Sequence, residues 1–250
     1  MAENLSLESF TLERFKILQK MHADHFWYSG RQRMIANALD TQNCMRVELA
    51  LDIGCGPGAQ LSDWKKYARR VVGLDQYADQ ISPDFFDGQT TLIAGDVTDL
   101  PFDDNSMDLV LALDVIEHLP EAPVLNEAMR VLKPGGTLLI TVPAFQWLWS
   151  YRDEDAGHLR RYSKGTIKQA IEQSGFRVNR MRYYQFFLLP LVVLSRFFGR
   201  TSRTTRDLED FPPAVLNVLF RAINSIEARL DKLGLSMPAG SSIIVLATKS

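Results

Sequence analysis

The stretch that decides the fold is Ala50-Leu51-Asp52-Ile53-Gly54-Cys55-Gly56-Pro57-Gly58, where an apolar run ends in an acid and a glycine-rich turn. Glycines at alternate positions let the backbone turn sharply and approach a ligand closely, because glycine has no Cβ. We expect a helix to begin just beyond the turn and to offer free N–H groups. A glycine turn is weak evidence alone, so its interpretation depends on the motifs C-terminal to it.

Apolar runs and helical patterns alternate along the rest of the chain. We predict helices at 6–21, 24–39, 58–68, 77–82, 120–132 and 163–174, and strands at 47–52, 70–75, 90–95, 107–113, 137–142, 176–184 and 243–247. Such alternation predicts a parallel sheet covered by helices on both faces. Lys133-Pro134-Gly135-Gly136 is predicted as a turn and Gly175 as a left-handed helix cap.

Acidic residues end three successive predicted strands: Asp52, Asp75 and Asp96. Asp75 is placed to bind paired ribose hydroxyls, and Asp96 lies where an open α/β sheet would seat a base edge. Asp52 would accept hydrogen bonds from a ligand's ammonium or hold the turn. The pattern predicts an adenosine pocket without a phosphate cradle. A nicotinamide-binding domain spaces its glycines G-x-G-x-x-G, which this chain does not.

With these motifs the chain resembles the class I S-adenosylmethionine-dependent methyltransferases, over residues 45–184 and again at the last strand. The resemblance implies an α/β, doubly wound, Rossmann-like sheet of seven strands with an antiparallel last strand. It implies one domain over 1–250, divided into a helical lid at 1–40, a cofactor-binding core at 45–184, a helical cap insert at 185–240 and a last strand at 241–250. It also implies an enzyme that uses S-adenosylmethionine and releases S-adenosylhomocysteine.

The resemblance also indicates which residues bind the cofactor. In the core these are Asp52, Gly54, Gly56, Gly58, Asp75, Gln76, Asp96, Val97 and Leu113. In the N-terminal segment they are Trp27, Tyr28 and Arg33, the aromatics covering the sulfonium by cation–π contact and the arginine meeting the methionyl carboxylate. The alternative is a helix that only packs on the sheet, with its arginines in solvent.

Two clusters offer catalytic residues, although methyl transfer needs a base only when the acceptor must lose a proton. In the first, Asp114, Glu117 and His118 would share one face of a helix. This stretch is similar to one in ubiquinone-pathway O-methyltransferases, some of which use a divalent cation. We expect no metal here, and a wall or base role for His118.

The second cluster is the charged, aromatic segment 149–162, whose Gly-His-x-Arg-Arg-Tyr run resembles that of a bacterial subgroup associated with glycans, lipids and natural products. We favour His158 as the general base. The alternative is that His158 and Arg160 anchor the loop by ion pairs to Asp153 and Asp155.

The predicted insert is apolar and basic. Residues 186–198 are nearly all apolar, and 173 to 206 contain seven arginines and no acid. The predicted helix 212–233 carries an apolar stripe of Leu216, Leu219, Ile223, Ile226 and Leu230. The apolar run is too short to span a bilayer, which needs about 20 residues. Contact with a membrane surface, a cover for a hydrophobic acceptor, a homodimer face and a plain buried helix stay open.

Composition limits the remaining choices. The 250 residues carry a net charge of −2, and the two cysteines form no metal-type pair. We therefore expect no nucleic acid partner and a cytoplasmic location, with a membrane-peripheral one left open. The expected reaction is methylation of an oxygen or nitrogen of a small or amphiphilic acceptor, such as a natural product, lipid or glycan precursor. A non-catalytic protein that binds S-adenosylmethionine as a partner subunit or sensor is the alternative.

Overall fold

The computed structural model describes residues 11–20, 25–41, 46–81, 87–198 and 211–250. The ends of the predicted helix 6–21 and the arginines at 200, 203 and 206 lie outside the described residues.

Seven strands form one sheet in the order β3-β2-β1-β4-β5-β7-β6. They are β1 (Val47–Ile53), β2 (Ala68–Asp75), β3 (Thr90–Ala94), β4 (Met107–Leu113), β5 (Leu132–Pro143), β6 (Phe176–Tyr184) and β7 (Ser242–Lys249). The first five run parallel, and β7 is antiparallel to both β5 and β6. The predicted seven-stranded sheet with an antiparallel last strand is confirmed.

Helices cover both faces of this sheet. They are α1 (Leu12–Lys20), α2 (Phe26–Thr41), α3 (Glu121–Val131), α4 (Tyr151–Ala156), α5 (Lys164–Gln173), α6 (Leu189–Phe198) and α7 (Ala214–Lys232). On one face α3 and α5 bury Val124 and Ile167 against the strands. On the other, α2 and α7 bury Ile35 and Ala228. Gly175 has a φ of +91° just after α5, so the predicted left-handed residue is confirmed.

One helix prediction is wrong, and one predicted turn lies within a strand. The helix predicted at 58–68 is only a short 3₁₀ helix, Leu61–Lys66, because the Gly58 N–H bonds back to Cys55 and β2 already begins at Ala68. The turn predicted at 133–136 is present as an interruption within β5. Gly135 has a φ of +78°, and the pairing passes from Met107–Leu132 directly to Leu109–Thr137.

The apolar stripe of helix α7 is not its buried face. Its buried residues are Asn224, Glu227, Ala228 and Asp231, whereas Leu216, Leu219 and Ile226 of the stripe are exposed. The buried polar groups have partners: Asp231 accepts two hydrogen bonds from the Arg180 guanidinium, at 2.8 and 2.9 Å. Buried polar groups are stable when paired in this way, so the polar face can be the inner one.

The inner face of α7 also positions the start of α2. Asn217 accepts a hydrogen bond from the Phe26 N–H at 2.8 Å, and Asn224 donates to the Phe26 carbonyl at 3.0 Å. The helices approach closely at Gly30, where an added Cβ would lie 2.5 Å from the Asn224 amide nitrogen. Residues early in α2 are thereby held over the end of the sheet. Among the described helices, none combines the length and apolarity needed to cross a bilayer.

Candidate active site

A cavity of about 960 Å³ lies at the carboxyl ends of β1, β2 and β4. The glycine turn, the ends of β2 and β3 and the turn after β4 form its floor. Helices α1, α2, α6 and α7 contribute to its walls and roof. The parallel register explains the location, because Asp52 pairs with Gly73 and Asp75 with Ala94, so the strand ends meet at one edge.

One end of the cavity has the groups expected for an adenosine. Asp75 accepts hydrogen bonds from the Gly56 and Tyr77 N–H groups, both at 2.9 Å, and burial raises its pKa. These bonds fix the carboxylate and leave it further acceptor capacity for hydroxyl groups. Gly56 has a φ of +58°, and an added Cβ would reach only Leu18, at 4.0 Å. The turn therefore presents bare backbone to the cavity, with α1 above it.

Asp52 forms the floor beyond this turn. Its Oδ2 accepts a hydrogen bond from the Trp64 indole N–H at 2.8 Å, whereas its buried Oδ1 has no partner. Burial raises the pKa of Asp52 to about 7, although the Trp64 bond and the Arg31 charge oppose the increase. An unpaired buried acceptor beside a cavity is suited to a cationic ligand group.

Arg31 lies opposite, on α2. It is 7% exposed and donates to Asp114 at 2.6 Å and to Gln60 at 2.8 Å, while its Nε has no partner. Asp114 adopts a φ of +58° where β4 ends, a conformation that aspartate tolerates better than most residues. The unpaired donor at Arg31 and the unpaired acceptor at Asp52 complement the two charges of an amino acid. These groups, together with Asp75, fit the S-adenosylmethionine that the sequence resemblance implies.

Most of the residues predicted to bind the cofactor line this one cavity. They are Trp27, Tyr28, Asp52, Gly54, Gly56, Asp75, Gln76, Asp96, Val97 and Leu113. Gly54 has a φ of +64°, and an added Cβ would lie 2.7 Å from Val115. Gly58 is not among the lining residues, and its N–H closes the turn onto the Cys55 carbonyl.

The prediction for Arg33 needs a correction. Its guanidinium reaches the Arg221 carbonyl on α7 at 3.4 Å, and it does not line the cavity. Arg31 lines the cavity instead, because it follows Trp27 by four residues and Tyr28 by three and so shares their helix face. That spacing was the available signal for choosing between the two arginines.

The catalytic candidates come together at the other end of the cavity. His158 Nδ1 lies 2.8 Å from Asp153 Oδ1, and His158 Nε2 lies 4.0 Å from Glu117 Oε1. The His118 ring meets the His158 ring edge to face, with centroids 4.8 Å apart. Residues 114–119 form turns rather than the predicted helix, and α3 begins only at Glu121. Glu117 and His118 nevertheless reach the cavity, together with His158.

The charges around His158 suit a proton acceptor. Although burial alone raises the pKa of Asp153, its bonds to His158 and Arg161 outweigh that effect and lower the pKa to about 2. The ionised Asp153 therefore favours the tautomer in which His158 Nδ1–H donates a hydrogen bond to it and Nε2 keeps its lone pair. Burial and the His158 charge lower the pKa of His118 to about 4, so His118 is a weaker base than an ordinary histidine.

Glu117 is the most deeply buried group of this cluster. It is fully inaccessible, and neither carboxyl oxygen has a hydrogen-bond partner. Burial, then the Asp114 charge, raise its pKa well above the usual value, which favours the neutral acid. Among the described residues, Glu117, His118 and His158 form a group that could hold a metal ion. The expectation of no metal stays a prediction.

The ion pairs considered as an alternative role for segment 149–162 are present only in part. His158 pairs with Asp153, whereas Arg160 bonds to Glu121 and to the Leu119 carbonyl. Arg161 pairs with Asp153 as well, at 2.7 Å. Asp153 also forms a capping box with Ser150 at the start of α4. Several bonds therefore hold Asp153 beside His158, and both residues line the cavity.

The insert forms an apolar wall on the acceptor side. Leu188, Leu191 and Val192 contribute from the α6 region, and Leu216 and Phe220 contribute from α7. One end of the cavity is thus polar and fitted to an adenosyl amino acid. The rest combines an oriented histidine with aliphatic and aromatic surface.

Comparisons with known proteins agree with this geometry. Residues 51–140 match a family model described as a methyltransferase domain. A protein of Mycolicibacterium smegmatis named "Probable S-adenosylmethionine-dependent methyltransferase" is 32% identical over 134 residues, 51% of each chain. A sterol 24-C-methyltransferase of Neurospora crassa is 33% identical over 119 residues, 43% of this chain and 30% of that enzyme. The matches thus span about half or less of these curated relatives.

The fold is shared with solved structures. A SAM-dependent methyltransferase from Archaeoglobus fulgidus superposes with a TM-score of 0.54 at 22% identity, over 87% of this chain and 94% of that one. This similarity confirms the arrangement of the sheet and its helices.

Proposed function

We infer that this chain is a class I S-adenosylmethionine-dependent methyltransferase that methylates an oxygen or nitrogen of a small or amphiphilic acceptor. The observation that carries the proposal is one cavity that joins two sites. Unpaired Asp52 and Arg31 atoms at one end match an amino acid, and an Asp153–His158 pair stands at the other.

S-adenosylmethionine, when bound, supplies the methyl group as an electrophilic carbon on its sulfonium. Asp75, Asp52 and Arg31 hold the hydroxyl, ammonium and carboxylate groups, and this positioning is itself a large part of catalysis. His158 accepts the proton that the acceptor's O–H or N–H group loses as its bond to the methyl carbon forms. Asp153 stabilises the resulting imidazolium.

The acceptor class follows from the walls of the cavity. Leu188, Leu191, Val192 and Phe220 would bind an apolar part of the acceptor, and His158 would meet its polar head. The fungal relative acts, by its name, on a sterol, which supports a lipid-like acceptor here. A nucleic acid is not favoured, because the net charge of the chain is −2.

A panel of acceptors tests this proposal. With phenols, amines and long-chain alcohols, we expect the protein to release S-adenosylhomocysteine with at least one amphiphilic acceptor. The expected release of S-adenosylhomocysteine depends on His158, since a base would be needed to remove the proton of a hydroxyl group or a protonated amine. Binding of S-adenosylmethionine without turnover on any of these acceptors would support the alternative, a non-catalytic partner or sensor.

Cofactor binding is expected to depend on pH through Asp52. Only the ionised carboxylate pairs with an ammonium, and the pKa of Asp52 is raised to about 7 by burial. Below this pH Asp52 is protonated, and it must lose its proton before it can pair with the ammonium group of the ligand. Affinity for S-adenosylhomocysteine should therefore fall by about tenfold per pH unit from pH 7 to 5.5.

Titration calorimetry in two buffers of different ionisation enthalpy measures both the affinity and the released proton. The Asp52→Asn variant is the control, because it keeps the shape and removes the titrating group. It should bind weakly and with little pH dependence over this range. An affinity of the native protein that does not change between pH 5.5 and 7 contradicts the assignment of the ammonium to Asp52.

A further inference from the structure

The outer faces of α6 and α7 expose large apolar side chains. Val215 is 80% exposed and Val218 is 62% exposed, both on α7. Leu191 and Leu194 on α6 are 48% and 51% exposed. Other exposed apolar members of α7 are Leu216, Leu219 and Ile226. Isolated exposed apolar residues are ordinary, but many of them on two helices that line the same cavity indicate an interaction surface.

The charged residues of these helices are distributed unevenly. The only acids of α7, Glu227 and Asp231, are 2% and 4% exposed and turn inward. Helix α6 contains no acid. The exposed charged side chains of α7 are Arg229 and Lys232, so its outer face is apolar and basic.

Further positive charge gathers along the side of α7. Burial and the nearby Arg221 and Arg229 charges lower the pKa of Arg33. Cations brought this close favour an anionic partner. The sequence of 199–210, which connects the two helices, adds three arginines and three acids and so contributes no net charge. The basic character therefore rests on the described residues.

The same surface continues into the acceptor side of the cavity. Leu191 and Leu216 are both exposed and both line it. A partner bound to the outer faces of α6 and α7 would lie beside the opening through which an acceptor enters.

We propose that the outer faces of α6 and α7 dock on the surface of an anionic lipid bilayer. Val215, Val218 and Leu219 enter the boundary between headgroups and acyl chains, and Arg229 and Lys232 meet lipid phosphates. Apolar side chains flanked by basic ones, without acids, are typical of helices that lie in a membrane interface. A second copy of the chain fits this surface less well, because two basic faces would meet. Delivery of a lipid-borne acceptor rests on the proposed function, whereas docking does not.

Vesicle flotation of the full chain tests the proposal. We expect it to float with vesicles of phosphatidylcholine and phosphatidylglycerol, with a partition coefficient roughly tenfold or more above that for phosphatidylcholine alone. The double variant Val218→Glu/Leu219→Glu should bind anionic vesicles no better than neutral ones. Trp147→Glu is the matched control, since Trp147 is 61% exposed outside these helices, and it should float like the native protein.

Binding of S-adenosylhomocysteine, measured for each variant, shows that the fold and the cofactor site are intact. Equal flotation of the double variant and the native protein would overturn the proposal, as would a lack of native binding to anionic vesicles. A native dimer that the same double variant converts to a monomer, without vesicle binding, would also overturn it and identify a face between copies. Turnover on soluble acceptors is measured separately, so a failure of membrane docking can be distinguished from a failure of methyl transfer.

Discussion

Replacing His158 by glutamine is expected to slow methyl transfer by about a hundredfold or more, the usual contribution of a general base. The Asp153 carboxylate holds His158 Nδ1 at 2.8 Å and leaves Nε2 to accept the acceptor's proton. Glutamine keeps a polar group near Asp153 but cannot take up a proton. The measurement is kcat with the best acceptor of the panel.

Two further measurements separate a base from a structural anchor. S-adenosylhomocysteine affinity and the unfolding temperature should stay near native values, because Arg161 and the capping box still hold Asp153. His118→Gln is the matched control and should reduce kcat by less than His158→Gln, since the pKa of His118 is lowered to about 4 by burial. Unchanged kcat in His158→Gln would leave the residue only its anchoring role.

Replacing Asp75 by alanine is expected to weaken S-adenosylhomocysteine binding by about 1.5–3 kcal/mol, the scale of hydrogen bonds to a charged group. This corresponds to roughly tenfold to a hundredfold in the dissociation constant. The carboxylate would hold the ribose hydroxyls, and it already accepts the Gly56 and Tyr77 N–H groups at 2.9 Å. Calorimetric titration of the purified variant gives the value directly.

A second variant separates lost ribose contacts from a disturbed turn. Asp75→Asn keeps an oxygen for one of the two N–H groups and removes the charge, so it should bind more weakly than native but better than the alanine variant. Asp79→Ala is the control, because Asp79 is exposed and does not line the cavity. Native affinity in Asp75→Ala would remove this carboxylate from the cofactor site.

The sheet and the cofactor end of the cavity could be predicted because their signals are local. The Gly54–x–Gly56 turn needs positive φ angles, and only glycine adopts them at little cost. Asp52 and Asp75 each end a strand, and parallel strands bring such ends to one edge whatever the rest of the chain does. Local conformation and strand order were therefore sufficient to place these residues together.

The orientation of α7 depended on tertiary contacts. An amphipathic pattern locates the apolar stripe of a helix but does not say which side another element will cover. In α7 the polar side is covered, because Asn224 and Asp231 find partners on α2 and β6 that lie far away in sequence. Those pairings leave the apolar side in solvent.

The residues around His158 were likewise predicted only in part from the sequence. The order of the residues along the chain was enough to predict that His118 and His158 follow successive strands. Both residues should therefore lie near the carboxyl ends of the strands. That Asp153 orients His158 while Glu117 is left without a partner is a property of the folded chain, since segments about 40 residues apart in sequence meet there. Their distances and burial set the protonation of each group, and neither is encoded in residue type or spacing.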